Sequence, residues 1–265
     1  MGKLRKERID VLLVERGLAA SRDRAKRLLL AGQVLVDDQP VDKAGTRVLS
    51  DAAIRLRGAD HPYVGRGGLK LAGALADLGI DATGRRCLDV GSSTGGFTDC
   101  LLQSGADAVV AVDVGTNQLH WRLRQDPRVA VHEQTDVRAL TREQVGDVSL
   151  VVIDASFISL RLVLAPVVDL VDPGAEVVAL VKPQFEVGKD QVSRGGVVRD
   201  DALRAQAVDG VSEIARELGF VEIGRAESRV AGARSGNREV FLHLRFGLGG
   251  KVGAASGGSQ VLEPS

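Results

Sequence analysis

Apolar positions recur along the chain with two different periods, and the change of period divides it. From residue 5 to 58 the pattern is that of a small α+β unit. Ile9, Leu12, Leu13 and then Leu18 form a helical stripe that Gly17 closes. Ser21 is placed to cap a second helix from Arg22 to about Ala31, with Ala25, Leu28 and Leu29 turned inward and Gly32 as its stop. Val34, Leu35 and Val36 read as a short strand running into the turn Asp37-Asp38-Gln39-Pro40, with further strands at Val48 and at 54–56. Residues 57–69 mix glycine, proline and basic side chains, which suits a joint. A helix is expected from Leu69 to Leu78, stopped by Gly79.

Beyond residue 85 the period alternates. Strand-length apolar runs at 87–90, 108–112, 148–153 and 177–181 are separated by helical stretches at 97–104, 115–120, 158–170 and 201–218. That is the pattern of β-α units forming a parallel sheet covered on both faces. Two late runs, 220–224 and 239–246, suit an antiparallel pair at the sheet edge. The last stretch is rich in Gly and Ser without an apolar period. The expected organisation is a first domain over 1–58, a linker over 59–66, an α/β domain over 67–246 and a disordered tail over 247–265. No internal repeat is visible.

Composition adds three points. With 265 residues, 44% of them hydrophobic, the chain has enough apolar side chains for a normal core. The net charge of zero hides an asymmetry: residues 1–60 carry 13 Lys and Arg against 9 Asp and Glu, so a basic head sits on a mildly acidic body. That fits a small polyanion-binding module joined to a catalytic domain. The two cysteines, Cys87 and Cys100, lie in apolar stretches and make no metal or disulfide framework. With no signal-peptide pattern and no apolar run approaching the roughly 20 residues of a membrane span, a cytoplasmic protein is expected.

The first strand of the α/β region carries the first chemistry. Cys87-Leu88-Asp89-Val90 runs into Gly91-Ser92-Ser93-Thr94-Gly95-Gly96-Phe97, a glycine-rich turn that lets backbone approach a ligand closely. A dinucleotide would ask for G-x-G-x-x-G spacing, which is absent. Asp89, just ahead of the turn, would face phosphates badly but suits the positive ammonium or sulfonium end of S-adenosylmethionine. Asp113 ends the next strand, where a carboxylate can accept both ribose hydroxyls of an adenosine. Asp136 follows the third strand, placed for the adenine amino group or as a simple turn residue. Two more polar residues end buried strands: Asp154 after Leu150-Val151-Val152-Ile153, and Lys182 after Val178-Ala179-Leu180-Val181. Lys70 opens the helix after the linker, and Glu239 begins the last strand. A ribose 2′-hydroxyl is a poor nucleophile at neutral pH. A cluster of lysines and carboxylates can orient it and stabilise the alkoxide that develops.

Two resemblances sharpen this. The stretches Arg5–Gly17, Ser21–Ala25 and Gly32–Asp37 resemble the alpha-L RNA-binding motif. The second helix sets Arg22, Lys26 and Arg27, with Arg24 nearby, on its solvated face, which is either an ordinary charged surface or a phosphate-tracking one that Arg5 and Arg66 would extend; the resemblance favours the second. Larger motifs are Val64-Gly65-Arg66-Gly67-Gly68-Leu69-Lys70-Leu71, Leu88–Thr98, Asp154-Ala155-Ser156-Phe157-Ile158-Ser159-Leu160 and Leu180-Val181-Lys182-Pro183-Gln184-Phe185-Glu186-Val187-Gly188. With Gly195-Gly196-Val197-Val198 and Ser235-Gly236-Asn237, they make the chain similar to the TlyA-type ribosomal RNA 2′-O-methyltransferases, a family often labelled haemolysins.

The resemblance spans about residues 5–246. It implies a Rossmann-like class I methyltransferase sheet, FtsJ-like, mostly parallel with an antiparallel edge strand, preceded by the small α+β RNA-binding domain. It implies S-adenosylmethionine as cofactor and a tetrad Lys70, Asp154, Lys182 and Glu239, with Phe157 stacked near the adenosine. Ribosomal RNA within ribosomal subunits is the implied partner, a cytidine 2′-hydroxyl the implied target. Competing readings are a base methyltransferase, a non-catalytic RNA-binding or assembly factor, and a pore-forming haemolysin. The last lacks a span, a signal peptide and a strongly amphipathic basic helix. Aromatic content of 3% argues against recognition by extensive base stacking, so shape and phosphate contacts would dominate.

Overall fold

The computed structural model describes residues 5–19, 21–56, 61–193, 195–231 and 237–247. The expected disordered tail, from 248 onward, lies outside the described residues, as do Ser235 and Gly236 of the motif before the last strand. The chain divides into two units, 1–62 and 63–265.

In the first unit, β1 (Lys6–Arg8) leads into α1 (Ile9–Glu15), followed by α2 (Arg22–Leu30), β2 (Val34–Val36), β3 (Gln39–Val41), β4 (Arg47–Leu49) and β5 (Ile54–Leu56). β1 pairs with β4, and β2 lies between β3 and β5. The local signals act as expected. Gly17 and Gly32 take positive φ after α1 and α2, and the Ser21 hydroxyl accepts the Arg24 N–H at the start of α2. The turn into β3 is tighter than expected. Asp37 and Asp38 both take positive φ, so Gln39 and Pro40 already belong to the returning strand. Pro40 is tolerated there because β3 is an edge. Ile9, Leu13, Ala25, Leu28, Leu29 and Val34 form the core of this unit.

The second unit is built on a seven-stranded sheet. Its elements are α3 (Gly67–Leu78), β6 (Arg86–Val90), α4 (Gly96–Gln103), β7 (Ala108–Asp113), α5 (Trp121–Arg124), β8 (Val129–Glu133), α6 (Arg142–Val145), β9 (Leu150–Ile153), α7 (Leu160–Leu170), β10 (Glu176–Val181), α8 (Pro183–Glu186), α9 (Asp201–Glu217), β11 (Phe220–Glu227) and β12 (Val240–Phe246). The strand order is β11-β12-β10-β9-β6-β7-β8. β10, β9, β6, β7 and β8 are parallel, and β12 runs antiparallel between β10 and β11. The reversed strand is therefore second from the edge. The sheet is buried on both faces by two apolar clusters, one around Val110, Ile153, Leu164 and Leu242, the other around Leu71, Leu101, Val152 and Phe241. Strand order reverses direction between β6 and β9, the kind of switch point where such sheets open a crevice at their carboxyl edge.

One expected helix does not form. Residues 115–120 are a loop in which Asn117 takes positive φ, and the Glu133 carboxylate accepts the backbone N–H groups of Asn117, Gln118 and Leu119. A carboxylate that gathers three consecutive amides stabilises a loop and leaves no ladder for a helix, so the helical turn begins later, at Trp121. Of the expected linker, residues 59 and 60 lie outside the described residues, whereas Tyr63–Arg66 pack within the second unit. A β-carbon on Gly68 would come within 2.6 Å of three Tyr63 side-chain atoms, so only glycine lets Tyr63 lie against the start of α3.

Candidate functional site

The carboxyl ends of β6, β7 and β9 surround a cavity of about 390 Å³. Gly91, Ser93, Asp113, Val114, Gln118 and Asp136 form part of its lining, and the β9 exit, Asp154-Ala155-Ser156-Phe157-Ile158, closes another side. A cavity of this size, with a few convergent polar groups on an apolar surround, is in the range of small-molecule and cofactor sites.

The glycine turn does two jobs that its sequence does not distinguish. Gly91 takes φ +84°, and a β-carbon there would come within 2.8 Å of the Asp154 carbonyl, so the exits of β6 and β9 can approach this closely beside the cavity only with glycine at this position. Gly95 and Gly96 do not line the cavity. Gly95 is overlain by Leu119 and Leu123, and Gly96 lies against the backbone of residues 65–68. Thr94 and Ser92 also stand outside the lining. Phe97 is a core residue, 3% exposed, with its ring 6.2 Å from that of Phe241.

The three aspartates differ. Asp113 is the hub of the cavity rim: its carboxylate accepts the Ser93 N–H at 2.8 Å and the Gly115 N–H at 2.7 Å. A carboxylate has about four acceptor positions, so two backbone bonds leave room for a diol. Asp136 lines the cavity and also caps the short turn after it, accepting from the Arg138 backbone and guanidinium. The Arg138 hydrogen bond holds its carboxyl down at about 2. Asp89 is fully buried beneath the turn. Its Oδ2 accepts from Thr98 at 2.6 Å, and Oδ1 is buried with no hydrogen-bond partner among the described residues. Burial pushes its carboxyl up to about 7. A buried acceptor without a donor is costly. Asp89 does not line the cavity; Asp113 and the cavity volume suit a nucleoside, and the unpartnered Asp89 Oδ1 is an acceptor that a donor or positive charge reaching beneath the turn would satisfy.

Phe157 stands at the cavity lip, 88% exposed, with a positive φ of +67°. Its ring is 5.4 Å from that of Phe185. The loop that carries it is tied to the β10 exit. Glu186 accepts the Ser159 hydroxyl at 2.6 Å and the Leu160 N–H at 2.8 Å, fixing the start of α7. Glu186, Ser156 and Gln118 carry this geometry without having been singled out in the sequence. The Lys182-to-Glu186 spacing offered the only signal, since one turn of helix after Pro183 returns Glu186 toward β9.

Lys70, Asp154, Lys182 and Glu239 form two ion pairs at one edge. Lys182 Nζ lies 2.5 Å from Asp154 Oδ1 and donates to the Ala155 carbonyl and the Ser156 hydroxyl at 3.1 and 2.8 Å. Lys70 Nζ lies 2.5 Å from Glu239 Oε2. The register explains the meeting. Val181 pairs with Val240 across β10 and β12, which sets Lys182 and Glu239 side by side one step further on. Lys182 and Glu239 are both buried. The Gly195–Val198 segment is attached to the same strand start, since Asn237 accepts the Val198 N–H and donates to the Gly196 carbonyl.

In the first unit, Arg22, Arg24, Lys26 and Arg27 are exposed on α2, and Arg5 is exposed ahead of β1. Arg22 is not a free cation: with Arg8 it clamps the buried Asp10 carboxylate, at 2.8 Å. Arg66 is exposed at the start of α3 in the second unit.

The model of the FtsJ-like methyltransferase family matches residues 63–246, and that of the S4 domain matches residues 7–54. The 16S/23S rRNA (cytidine-2′-O)-methyltransferase TlyA of Mycobacterium tuberculosis is 51% identical over 91% of this chain and 90% of its own length. Hemolysin A of Brachyspira hyodysenteriae is 38% identical over 89% of this chain and 99% of its own. A solved structure described as a hemolysin from Streptococcus thermophilus superposes with a TM-score of 0.71 at 41% identity, covering 92% of this chain and 90% of its own.

Proposed function

The chain belongs to the FtsJ-like methyltransferase family and carries an S4 domain ahead of that fold, and from this premise we propose that it methylates the ribose 2′-hydroxyl of a cytidine in ribosomal RNA. Residues 1–58 dock on folded RNA within a ribosomal subunit in the cytoplasm, and residues 67–246 carry the transfer. The observation that carries the reading is the pairing of Lys182 with Asp154 and Lys70 with Glu239 beside the cavity.

S-adenosylmethionine, bound in that cavity, supplies a methyl group on a sulfonium that needs no further activation. Asp113 takes the ribose hydroxyls, Asp136 the adenine amino group, and Phe157 packs at the nucleoside face. Asp89 faces the cationic end from beneath the turn. The remaining work is alignment and handling of a proton. The ammonium groups of Lys70 and Lys182 hold the substrate oxygen and stabilise the negative charge that develops on it. Asp154 and Glu239 keep both ammoniums in place and offer the nearest carboxylate oxygens for the departing proton. Ser156 and the Ala155 carbonyl fix the Lys182 direction. Arg5, Arg24, Lys26 and Arg27 track phosphates, with Arg22 held on the same helix.

Substitution Lys182→Ala tests the reading. Methyl transfer to ribosomal subunits should fall at least a hundredfold, while binding of S-adenosylmethionine and of RNA persists. Undiminished transfer would remove the tetrad from the mechanism. Lysis of red cells by the purified protein, unaffected by Asp113→Ala, would favour the haemolysin reading instead. Among the described residues no helix is long and apolar enough to cross a membrane.

A further inference from the structure

The exposed apolar side chains of the second unit are unevenly placed. Among the described residues, Val114, Trp121, Phe157, Leu162 and Ile223 are the large hydrophobic side chains on its surface. All but Ile223 lie on segments leaving the carboxyl ends of β7 and β9, the edge that holds the tetrad and the cavity. Phe157 and Val114 line the cavity itself. Trp121 does not, and it is the one tryptophan in the chain.

Trp121 is held outward by its neighbours. Leu119 and Leu123 are buried against Gly95, where a β-carbon would come within 2.9 Å of both side chains. That anchors α5 to the glycine turn and leaves the indole between them 50% exposed, its ring 6.0 Å from that of His120. Exposed arginines lie on adjoining stretches of chain. Arg122 is exposed beside it in the chain. Thr94 joins a second basic segment to the same place: its carbonyl accepts the His120 N–H at 3.1 Å, and its hydroxyl lies where a β-carbon on Gly65 would come within 2.8 Å. Arg66, exposed, follows Gly65 directly.

We propose that Trp121, flanked by Arg66 and Arg122, is a stacking platform for an unpaired base of the RNA substrate, lying beside the nucleotide that enters the methyl-transfer site. An exposed indole with arginines on adjoining segments meets both needs of a single strand: a π surface for the base and charge for the adjoining phosphates. RNA is favoured over an apolar protein partner by this charge complementarity. One platform is compatible with the low aromatic content of the chain, which excludes extensive stacking but not a single contact. The proposal rests on the RNA-methyltransferase reading.

Two measurements on the full chain test it. In methyl transfer to ribosomal subunits lacking the modification, Trp121→Ala should raise KM for the RNA substrate about tenfold, whereas Trp121→Phe should stay within about threefold of wild type. KM for S-adenosylmethionine should not move in either. Unchanged KM in Trp121→Ala, or equal damage from Trp121→Phe, would overturn the proposal. The second measurement needs no catalysis. Because Trp121 is the sole tryptophan, its emission reports the site directly. Naked ribosomal RNA should quench it, and Arg66→Glu with Arg122→Glu should require higher RNA concentrations for the same quenching. Emission that responds to intact subunits but not to naked RNA would assign the patch to a ribosomal protein and overturn the proposal. If wild type quenches normally yet transfers no methyl group, the catalytic reading fails and the platform stands.

Discussion

Lys70 and Glu239 stand 169 positions apart in the chain, yet their charged ends meet at 2.5 Å in a nearly solvent-free site. Removing one partner leaves the other charge buried without its ion pair, which costs about 3–5 kcal/mol. Glu239→Gln or Lys70→Met should therefore lower both stability and methyl transfer. The double variant Lys70→Met with Glu239→Leu should recover most of the stability and none of the activity. Denaturant melts beside a transfer assay separate the two. Activity in the double variant would show that the pair is only structural.

Gly91 and Asp154 touch through backbone. Gly91→Ala places a methyl group within 2.8 Å of the Asp154 carbonyl at a positive φ, which a side chain tolerates poorly. A loss of about 2–4 kcal/mol is expected, with weaker S-adenosylmethionine binding in whatever remains folded. Calorimetric titration checks this. Gly95→Ala should destabilise through Leu119 and Leu123, and its effect on the cofactor should be smaller.

Most strands, the glycine turn and the polar residues at strand ends were readable because each depends on local pattern: apolar runs bounded by Gly, Pro or Asp; the edge strand β8 (Val129–Glu133), half-buried along its length, was not among them. What remained hidden depends on tertiary partners. The loop over 115–120 is set by Glu133, which lies on the following strand and announces nothing at 115. The sequence assigned Gly95, Gly96 and Phe97 to the ligand because a glycine-rich turn looks the same whether its space is filled by cofactor or by Leu119, Leu123 and the Gly65–Gly68 backbone. The tetrad could be named from resemblance, but the β10–β12 register that sets Lys182 beside Glu239, and the ion pairs Lys70–Glu239 and Lys182–Asp154, come only with the fold. That Arg22 also clamps a buried Asp10 was not legible, because nothing near Arg22 in the chain reveals that Asp10 is buried.

That buried aspartate has a pH signature. The Arg8 hydrogen bond, with Arg22 beside it, lowers the Asp10 carboxyl from 3.8 to about 2 against the opposing effect of burial. A depressed acid stabilises the fold above its unfolded pKa, and the stabilisation is lost as pH falls through 3.8 toward 2. Asp10→Ala should lower stability at neutral pH, since the carboxylate whose pKa the fold depresses is removed. Its deficit against wild type should shrink below pH 3.8 in melts of the full chain followed at the first unit. Arg24→Ala should leave stability unchanged and weaken RNA binding, with a shallower salt dependence.

Asp89 has the opposite sign. Burial raises its carboxyl from 3.8 to about 7, so the folded chain holds a proton that the unfolded chain releases. Its contribution is most favourable below 3.8 and declines as pH rises to about 7. The stability of wild type relative to Asp89→Asn should fall between pH 4 and pH 7, measured by thermal melts of both proteins. S-adenosylmethionine, which brings positive charge to the turn, should lessen that fall in wild type. Parallel pH profiles would show that Asp89 does not titrate in this window.

The central claim is that this edge methylates a ribose oxygen. The direct measurement is transfer of labelled methyl from S-adenosylmethionine to unmodified ribosomal subunits, followed by alkaline hydrolysis of the RNA. A 2′-O-methyl group blocks cleavage at its own position. Wild type should place the label in an alkali-resistant cytidine dinucleotide, and Lys182→Ala should place none while still binding S-adenosylmethionine. Label recovered on a base in ordinary mononucleotides, or full labelling by Lys182→Ala, would contradict the account.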